Sequence, residues 1–475
     1  MILTRFYDEK LAQASYLVGC GRTGEALVVD PTRQVEQYIG RADQDGLKIT
    51  AVTETHIHAD FVSGARELAD RSGARLYLSD AGEEPWKYTY AKSAGATLLQ
   101  HGSRFSVGNI QLEVVHTPGH TPEHLSFLVT DTAGATSPMG LFTGDFVFVG
   151  DVGRPDLLEK AARVTGASEL SARNLFRSLQ QFRRLPDHLQ LWPGHGAGSA
   201  CGKGLSAVPQ STVGYEKLFN WALGIAEEDE FVRQVLAGQP EPPKYFAEMK
   251  RINQLGPPVL GGFRRPVRLP EGRLRRLLED GALVVDTRAA VAFGAGHIPG
   301  TISLTLNKAF PGWAGWLLPY DRDFYLIVDD NAPTAIDEAV RDLALIGLDR
   351  IGGFFGGEII DTWAATEGAL EVVPQITVAE LAERSSVGGL TVVDVRNATE
   401  WEEGHLPGAR HIPLGYVLDS LDQIPRDRPV VVHCQTGARS AIAVGLLQAR
   451  GWRNAINFGA GFAGWQADGL PVERG

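Results

Sequence analysis

Val284-Val285-Asp286-Thr287-Arg288, followed by Gly296-His297-Ile298-Pro299-Gly300, returns 108 residues later as Val392-Val393-Asp394-Val395-Arg396 and Gly404-His405-Leu406-Pro407-Gly408. A shared Asp-x-Arg and Gly-His-x-Pro-Gly at one constant spacing marks an internal repeat. Each copy opens on a β-branched apolar run of the kind that makes a buried strand, then continues through helix-like and turn-like stretches. The spacing predicts two tandem α/β domains, over 268–372 and 373–475. Upstream lies a further domain, 1–255, in which residues 1–130 alternate β-rich runs such as Ala26-Leu27-Val28-Val29-Asp30 and Ile49-Thr50-Ala51-Val52-Thr53 with turns. Helix-like segments such as Glu169–Arg184 come later, an order that predicts a sheet sandwich with helices outside. Pro240–Lys244, Gln254–Pro258 and Arg264–Pro270 break the pattern and read as the linker into the repeats.

At 475 residues the chain exceeds what one hydrophobic core organises, and 44% hydrophobic with 21% charged residues is a globular composition. A net charge of -12 argues against a nucleic-acid partner, since phosphate binding draws on clustered Lys and Arg. No apolar run is long enough for a bilayer, and the start Met1-Ile2-Leu3-Thr4-Arg5 lacks the basic-then-apolar order of a signal peptide. Three cysteines, Cys20, Cys201 and Cys434, are too few and odd in number for a disulfide framework. A reducing, cytoplasmic setting is therefore expected, with any important thiol reactive rather than structural. Cys20 ends an apparent strand and reads as core filler.

Thr55-His56-Ile57-His58-Ala59-Asp60 directly follows an apolar strand. His116-Thr117-Pro118-Gly119-His120, Thr143-Gly144-Asp145 and Pro193-Gly194-His195 come after it in order. Imidazoles and carboxylates at successive strand ends suit a borderline metal such as iron, manganese or zinc. The pattern resembles the metallo-β-lactamase superfamily, whose αββα sandwich gathers such motifs around one or two metals. It departs at Phe61, where the superfamily's first motif ends in a further histidine that ligates a second ion. The branch it resembles most is persulfide dioxygenase. That similarity implies one Fe(II) per chain, held by His56, His120 and Asp145 as a two-histidine, one-carboxylate set. His58, Asp60 and His195 are then surrounding groups that orient ligands or water. Arg154, in Gly153-Arg154-Pro155-Asp156, is implied to pair with a carboxylate of the thiol carrier. Cys201, in the Gly-rich run Gly194–Gly204, is placed to accept or relay sulfur if His195 lies near the metal.

Pro429-Val430-Val431-Val432-His433-Cys434-Gln435-Thr436-Gly437-Ala438-Arg439-Ser440 reads as a buried strand, a loop and a helix start. A helix N-terminus and loop N–H groups favour thiolate at Cys434, with Arg439 adding positive charge. Gln435, Thr436, Gly437 and Ala438 form the cradle for a persulfide or an anionic oxygen donor. With Asp394-x-Arg396 and Gly459-Ala460-Gly461-Phe462, the segment is similar to the rhodanese family. Four residues lie between Cys434 and Arg439, a loop that suits sulfur; the related phosphatases carry a longer one. The middle copy has Val328-Asp329-Asp330-Asn331-Ala332-Pro333 in place of the cysteine loop. Carboxylates repel persulfide and sulfite, so this copy is expected to be an inactive rhodanese serving as scaffold or oligomer contact.

The whole chain resembles bacterial persulfide dioxygenase–rhodanese fusions. The fold class implied is an αββα metallo-β-lactamase sandwich followed by two tandem α/β rhodanese domains. The implied chemistry takes a low-molecular-weight thiol persulfide and O2 to sulfite, and Cys434 converts sulfite to thiosulfate. A homo-oligomer is also implied. The rival reading is a binuclear zinc thioester hydrolase of glyoxalase II type fused to a sulfurtransferase, which Phe61 disfavours.

Overall fold

The protein is described here by a computed structural model, which describes residues 1–157, 159 and 166–474. Its chain divides into two compact units, Met1–Phe263 with Ala344–Gly347, and Arg264–Leu343 with Leu348–Gly475.

The first unit contains two six-stranded sheets. One runs β1 (Ile2–Asp8), β2 (Gln13–Cys20), β3 (Glu25–Val29), β4 (Lys48–Thr53), β5 (Arg75–Ser79) and β6 (Thr97–Leu99) in spatial order. The other is made of β7 (Arg104–Val107), β8 (Ile110–His116), β9 (Leu125–Asp131), β10 (Gly140–Gly144), β11 (Gln190–Pro193) and β12 (Ser211–Thr212), adjacent in that sequence. Strand alternation explains why they stack. Tyr16, Val18, Leu27 and Val29 point inward to meet Leu112, Val114, Phe127, Phe142 and Trp192 of the facing sheet. The intervening Leu17, Ala26 and Val28 point outward, under Tyr38 and Ala42 of helix Glu36–Gln44 and Leu68 of helix Ala65–Ser72. On the opposite face Leu141, Leu189 and Leu191 pack against Leu175, Phe176 and Phe182 of helix Ala167–Phe182. The result is helix, sheet, sheet, helix, as the sequence order predicts.

The second unit repeats one parallel sheet twice. The first copy has β13 (Leu283–Asp286), β14 (Ile302–Ser303), β15 (Phe324–Val328) and β16 (Ile351–Gly356); the second has β17 (Thr391–Asp394), β18 (Arg410–His411), β19 (Val430–His433) and β20 (Ala455–Phe458). Spatial orders are β14-β13-β15-β16 and β18-β17-β19-β20, the same topology. The repeated Asp-x-Arg closes each first strand on itself. Arg288 reaches back to Asp286 at 2.7 Å, and Arg396 to Asp394 at 2.6 Å. Among the described residues no helix is long and apolar enough to cross a membrane.

Pro240–Lys244 and Gln254–Pro258 are more than linker. The Pro240 carbonyl accepts from Arg154 Nη2 at 2.6 Å, and helix Phe246–Leu255 carries a buried Asn253 that binds the first histidine loop.

Arg396 is buried beside its carboxylate and over the Phe462 ring, its guanidinium carbon 4.0 Å from the ring centre. Arg396→Ala strands the Asp394 charge in the interior, and is expected to cost about 3–5 kcal/mol in urea unfolding. Arg288→Ala should cost less, because the Arg288 side chain is 14% exposed against 2% for Arg396. Equal losses would show that burial of the pair is not what matters.

Candidate functional site

The histidine and aspartate motifs sit where β4, β8, β10 and β11 stop. β8, β10 and β11 run in one direction, so their following loops emerge at one sheet edge. There one donor atom each from His56, His120 and Asp145 lies within 4.8 Å of the others. His56 Nε2 is 3.9 Å and His120 Nε2 3.6 Å from Asp145 Oδ2. All three residues are buried.

Each imidazole is aimed by the bond on its other nitrogen. Thr55 Oγ1 donates to Asp30 Oδ2 at 2.9 Å, so its free lone pair accepts from His56 Nδ1 at 2.9 Å. His120 Nδ1 donates to the Arg154 carbonyl at 3.1 Å. Both Nε2 atoms then present lone pairs to the centre. Burial pushes the His56 and His120 imidazoles below their ordinary range, which keeps them in the neutral form that binds metal. His56 Nε2 and both Asp145 oxygens are buried without a hydrogen-bond partner. A buried carboxylate with no donor needs a cation, so these residues fit a metal ion.

Asp145 is positioned by backbone that tolerates no side chains. Gly144 has φ +48°, and a Cβ on it would lie 2.5 Å from Thr55 Oγ1 and 2.8 Å from His124 Nε2. A Cβ on Gly153 would meet the Asp145 carbonyl at 1.8 Å. The Asp145 N–H donates to His124 Nε2 at 3.1 Å, and His124 Nδ1 in turn donates to Thr117 Oγ1 at 2.8 Å. His124 is a residue the sequence reading missed; its one signal is a further buried-site histidine four places after His120. Asn253 is another. It donates to the His58 and Phe61 carbonyls at 2.8 and 2.7 Å and accepts from the Ser63 N–H at 2.9 Å, from a segment with no motif at all.

His58 stands outside the three-residue set, with Nε2 3.2 Å from Asp30 Oδ1. Burial opposes its charge, but Asp30, Glu54 and Asp60 outweigh that and raise it to about 9. Phe61 is fully buried with its ring 4.4 Å from the His58 ring, filling with hydrocarbon the place of the missing histidine. Asp60 and His195 are joined by Cys201: one donor atom of each lies within 4.8 Å of the other two. Cys201 is buried, and burial followed by the Asp60 and Asp145 charges pushes its thiol well up.

Arg154 requires a correction. Rather than offering a free guanidinium to a substrate carboxylate, it is fully buried, with each of its three nitrogens bonded within the protein. Nε and Nη2 bind Asp156 at 2.8 and 2.7 Å, Nη1 binds the Ala200 carbonyl at 3.1 Å, and Nη2 also binds Pro240.

In the second unit β19 delivers Cys434 to a loop ahead of helix Ala438–Ala449. Cys434 Sγ accepts from the Gly437 N–H at 3.2 Å and the Ser440 hydroxyl at 3.7 Å. Gly437 has φ +87°, and a Cβ there would lie 2.4 Å from the Gly459 carbonyl, so the loop closes only with glycine. Gln435 accepts from Arg396 Nη1 at 3.3 Å, while Thr436 and Ala438 are exposed. Arg439 does interact with Cys434, but both its terminal nitrogens are held by Glu400 at 2.6 Å. The positive charge expected of Arg439 is thus offset by Glu400, a partner the loop sequence does not reveal. Among the described residues, Cys20 lies in the inter-sheet core.

Residues 9–195 match the metallo-beta-lactamase superfamily and residues 377–468 the rhodanese-like domain. A solved metallo-beta-lactamase from Staphylococcus aureus subsp. aureus COL is 46% identical, covering 75% of this chain and 99% of that one, with a TM-score of 0.69. The chain belongs to the metallo-beta-lactamase superfamily. It carries a rhodanese-like domain at its C-terminal end. A beta-lactamase hydrolase-like protein of Xylella fastidiosa (strain 9a5c) is 29% identical over 290 residues, 56% of this chain and 61% of that protein. A hydroxyacylglutathione hydrolase of Synechococcus sp. is 30% identical over 172 residues, 36% of this chain and 59% of that protein. The chain therefore spans 61% and 59% of the length of these curated relatives.

In the metallo-beta-lactamase domain, His124 meets the candidate metal site through the Asp145 N–H and by stacking on the His56 ring. His124→Phe keeps an aromatic ring but removes the acceptor, and divalent-metal binding by chelator competition should weaken by about 10–100-fold. Unchanged affinity would mean that the glycines alone hold Asp145.

Proposed function

We propose that the metallo-beta-lactamase domain oxidises low-molecular-weight persulfides with O2 at a single Fe(II) held by His56, His120 and Asp145, and that Cys434 makes thiosulfate from the sulfite formed. The observation that carries this reading is the two-imidazole, one-carboxylate donor set on the same chain as a cradled Cys434 thiol. Bound there, Fe(II) would supply open positions for sulfur and O2 and electrons for oxygen activation.

The rest is work for the chain's own groups. Thr55 and the Arg154 carbonyl keep His56 and His120 as neutral ligands. His58 is held beside the site by its pairing with Asp30. The overall step consumes a persulfide, O2 and water and gives a thiol, sulfite and two protons. In the rhodanese-like domain Cys434 thiolate first takes the terminal sulfur of a second persulfide, releasing its thiol. The Gly437 N–H and Ser440 hydroxyl then stabilise the Cys434 persulfide. Sulfite attacks the outer sulfur, the S–S bond breaks, and Cys434 leaves as thiolate.

The hydroxyacylglutathione hydrolase relative favours a second reading, zinc-dependent thioester hydrolysis. Phe61 weighs against it, because a phenyl ring offers no ligand where a second zinc would need one.

Iron-loaded full-length protein given a small-thiol persulfide should consume O2 and yield thiosulfate. Cys434→Ser should still consume O2 but accumulate sulfite, measured by oxygen electrode and anion chromatography. Absence of O2 uptake in the intact protein, with thioester cleavage by its zinc form, would replace this reading with the hydrolase.

A further inference from the structure

Helix Ala438–Ala449 of the second α/β copy lies so close to the first copy that a Cβ on Gly445 would sit 3.2 Å from the Phe293 ring. Beside this contact a cavity of about 150 Å³ opens, walled by both copies. Ile302 and Leu318 of the first copy and Leu446 of the second form its buried, apolar side. Arg322 and Arg450, both exposed, are the charged residues that line it. Hydrocarbon therefore lies inside and cation at the mouth. The cavity is remote from Cys434. Arg450 follows the last turn of the helix whose first turn follows the Cys434 loop, and its 12 residues span about 18 Å.

The two arginines are unusual for this chain. With a net charge of -12, exposed arginines ordinarily find carboxylates, as Arg268, Arg275 and Arg350 do in this unit. Neither the Arg322 nor the Arg450 guanidinium has a partner among the described residues. Asp323, next to Arg322 in the chain, is bonded to Arg350 at 2.9 Å. Arg426, whose Nη2 reaches the Arg450 carbonyl, is itself stacked on Trp452, 3.5 Å from the ring centre. Two unpaired forks at the mouth of one apolar cavity suit a ligand with an anionic head and a hydrocarbon body.

We propose that this cavity binds a small amphiphilic carboxylate, its body against Ile302, Leu318 and Leu446 and its head group at Arg322 and Arg450. An apolar cavity of about 150 Å³ accommodates a ring of about six carbons, which sets the size of that body. Guanidinium forks match a carboxylate at two points. A bare inorganic anion leaves the hydrocarbon side unfilled, and a neutral chain gains nothing from the arginines. Each copy supplies one arginine, so the bound anion ties the copy without a cysteine to the copy that has one. The site shares no residue with the metal set or the Cys434 loop, and the proposal does not rest on the dioxygenase reading.

Isothermal titration of the full-length protein with sodium hexanoate should show saturable binding at one per chain. Acetate, which lacks the chain, and 1-hexanol, which lacks the charge, should each bind more weakly by about 10-fold or more. Arg322→Gln/Arg450→Gln changes two exposed side chains and should weaken hexanoate by about 10-fold or more. Arg41→Gln/Arg104→Gln removes the same charge from the first unit and should leave hexanoate binding unchanged. No saturable heat with hexanoate, equal binding of acetate or hexanol, or an equal loss in both double variants overturns the proposal. Neither O2 nor persulfide is present, so this result and that of the dioxygenase assay can fail separately.

Discussion

The structure of the first unit depends on a carboxylate placed where no protein donor reaches it. Asp145 is fully buried, and neither of its oxygens has a hydrogen-bond partner. An ionised carboxylate in such a place costs several kcal/mol unless a cation offsets it. Much of the surrounding architecture serves to keep that charge in position. The glycines at 144 and 153 admit its backbone, and His124 holds its N–H. His56 and His120 face it with neutral nitrogens.

Main-chain groups give this region its rigidity. The carbonyls of Ala12 and Arg154 take the outer protons of His195 and His120. The carbonyls of His58, Phe61, Ala200 and Pro240 are in turn held by Asn253 and Arg154. Loops tied through their backbone can present several donors to one point without strand-like regularity. This also explains why a residue as polar as Arg154 is fully buried: each nitrogen of its planar fork has a place to donate.

The two α/β copies separate architecture from chemistry. Both retain the Asp-x-Arg pair and the same sheet order. Only the second brings a thiol to the loop after its third strand, with N–H and hydroxyl donors turned toward sulfur. In the first copy that loop carries Asp330, paired with Arg268 at 3.2 Å. One buried ion pair therefore supports a fold whether or not the neighbouring loop reacts.

The repeat, the strand alternation and the order of the histidine motifs were legible in the sequence, because hydrophobic period and turn chemistry are local. The set His56, His120 and Asp145 was implied by a family resemblance rather than by local pattern, since His56 follows β4 of one sheet while His120 and Asp145 follow strands of the other. The partners were not legible. Glu400 beside Arg439 lies 39 residues away, and Asn253 lies 195 residues from His58. Whether Arg154 faces a substrate or an interior aspartate depends on burial, which no local pattern encodes. By itself the sequence determined which side chains are available and which strand ends they follow. Tertiary structure decided which of them meet, what each one's second nitrogen or oxygen is bonded to, and hence which lone pairs remain for a metal, because hydrogen bonding and desolvation are settled only when distant segments pack.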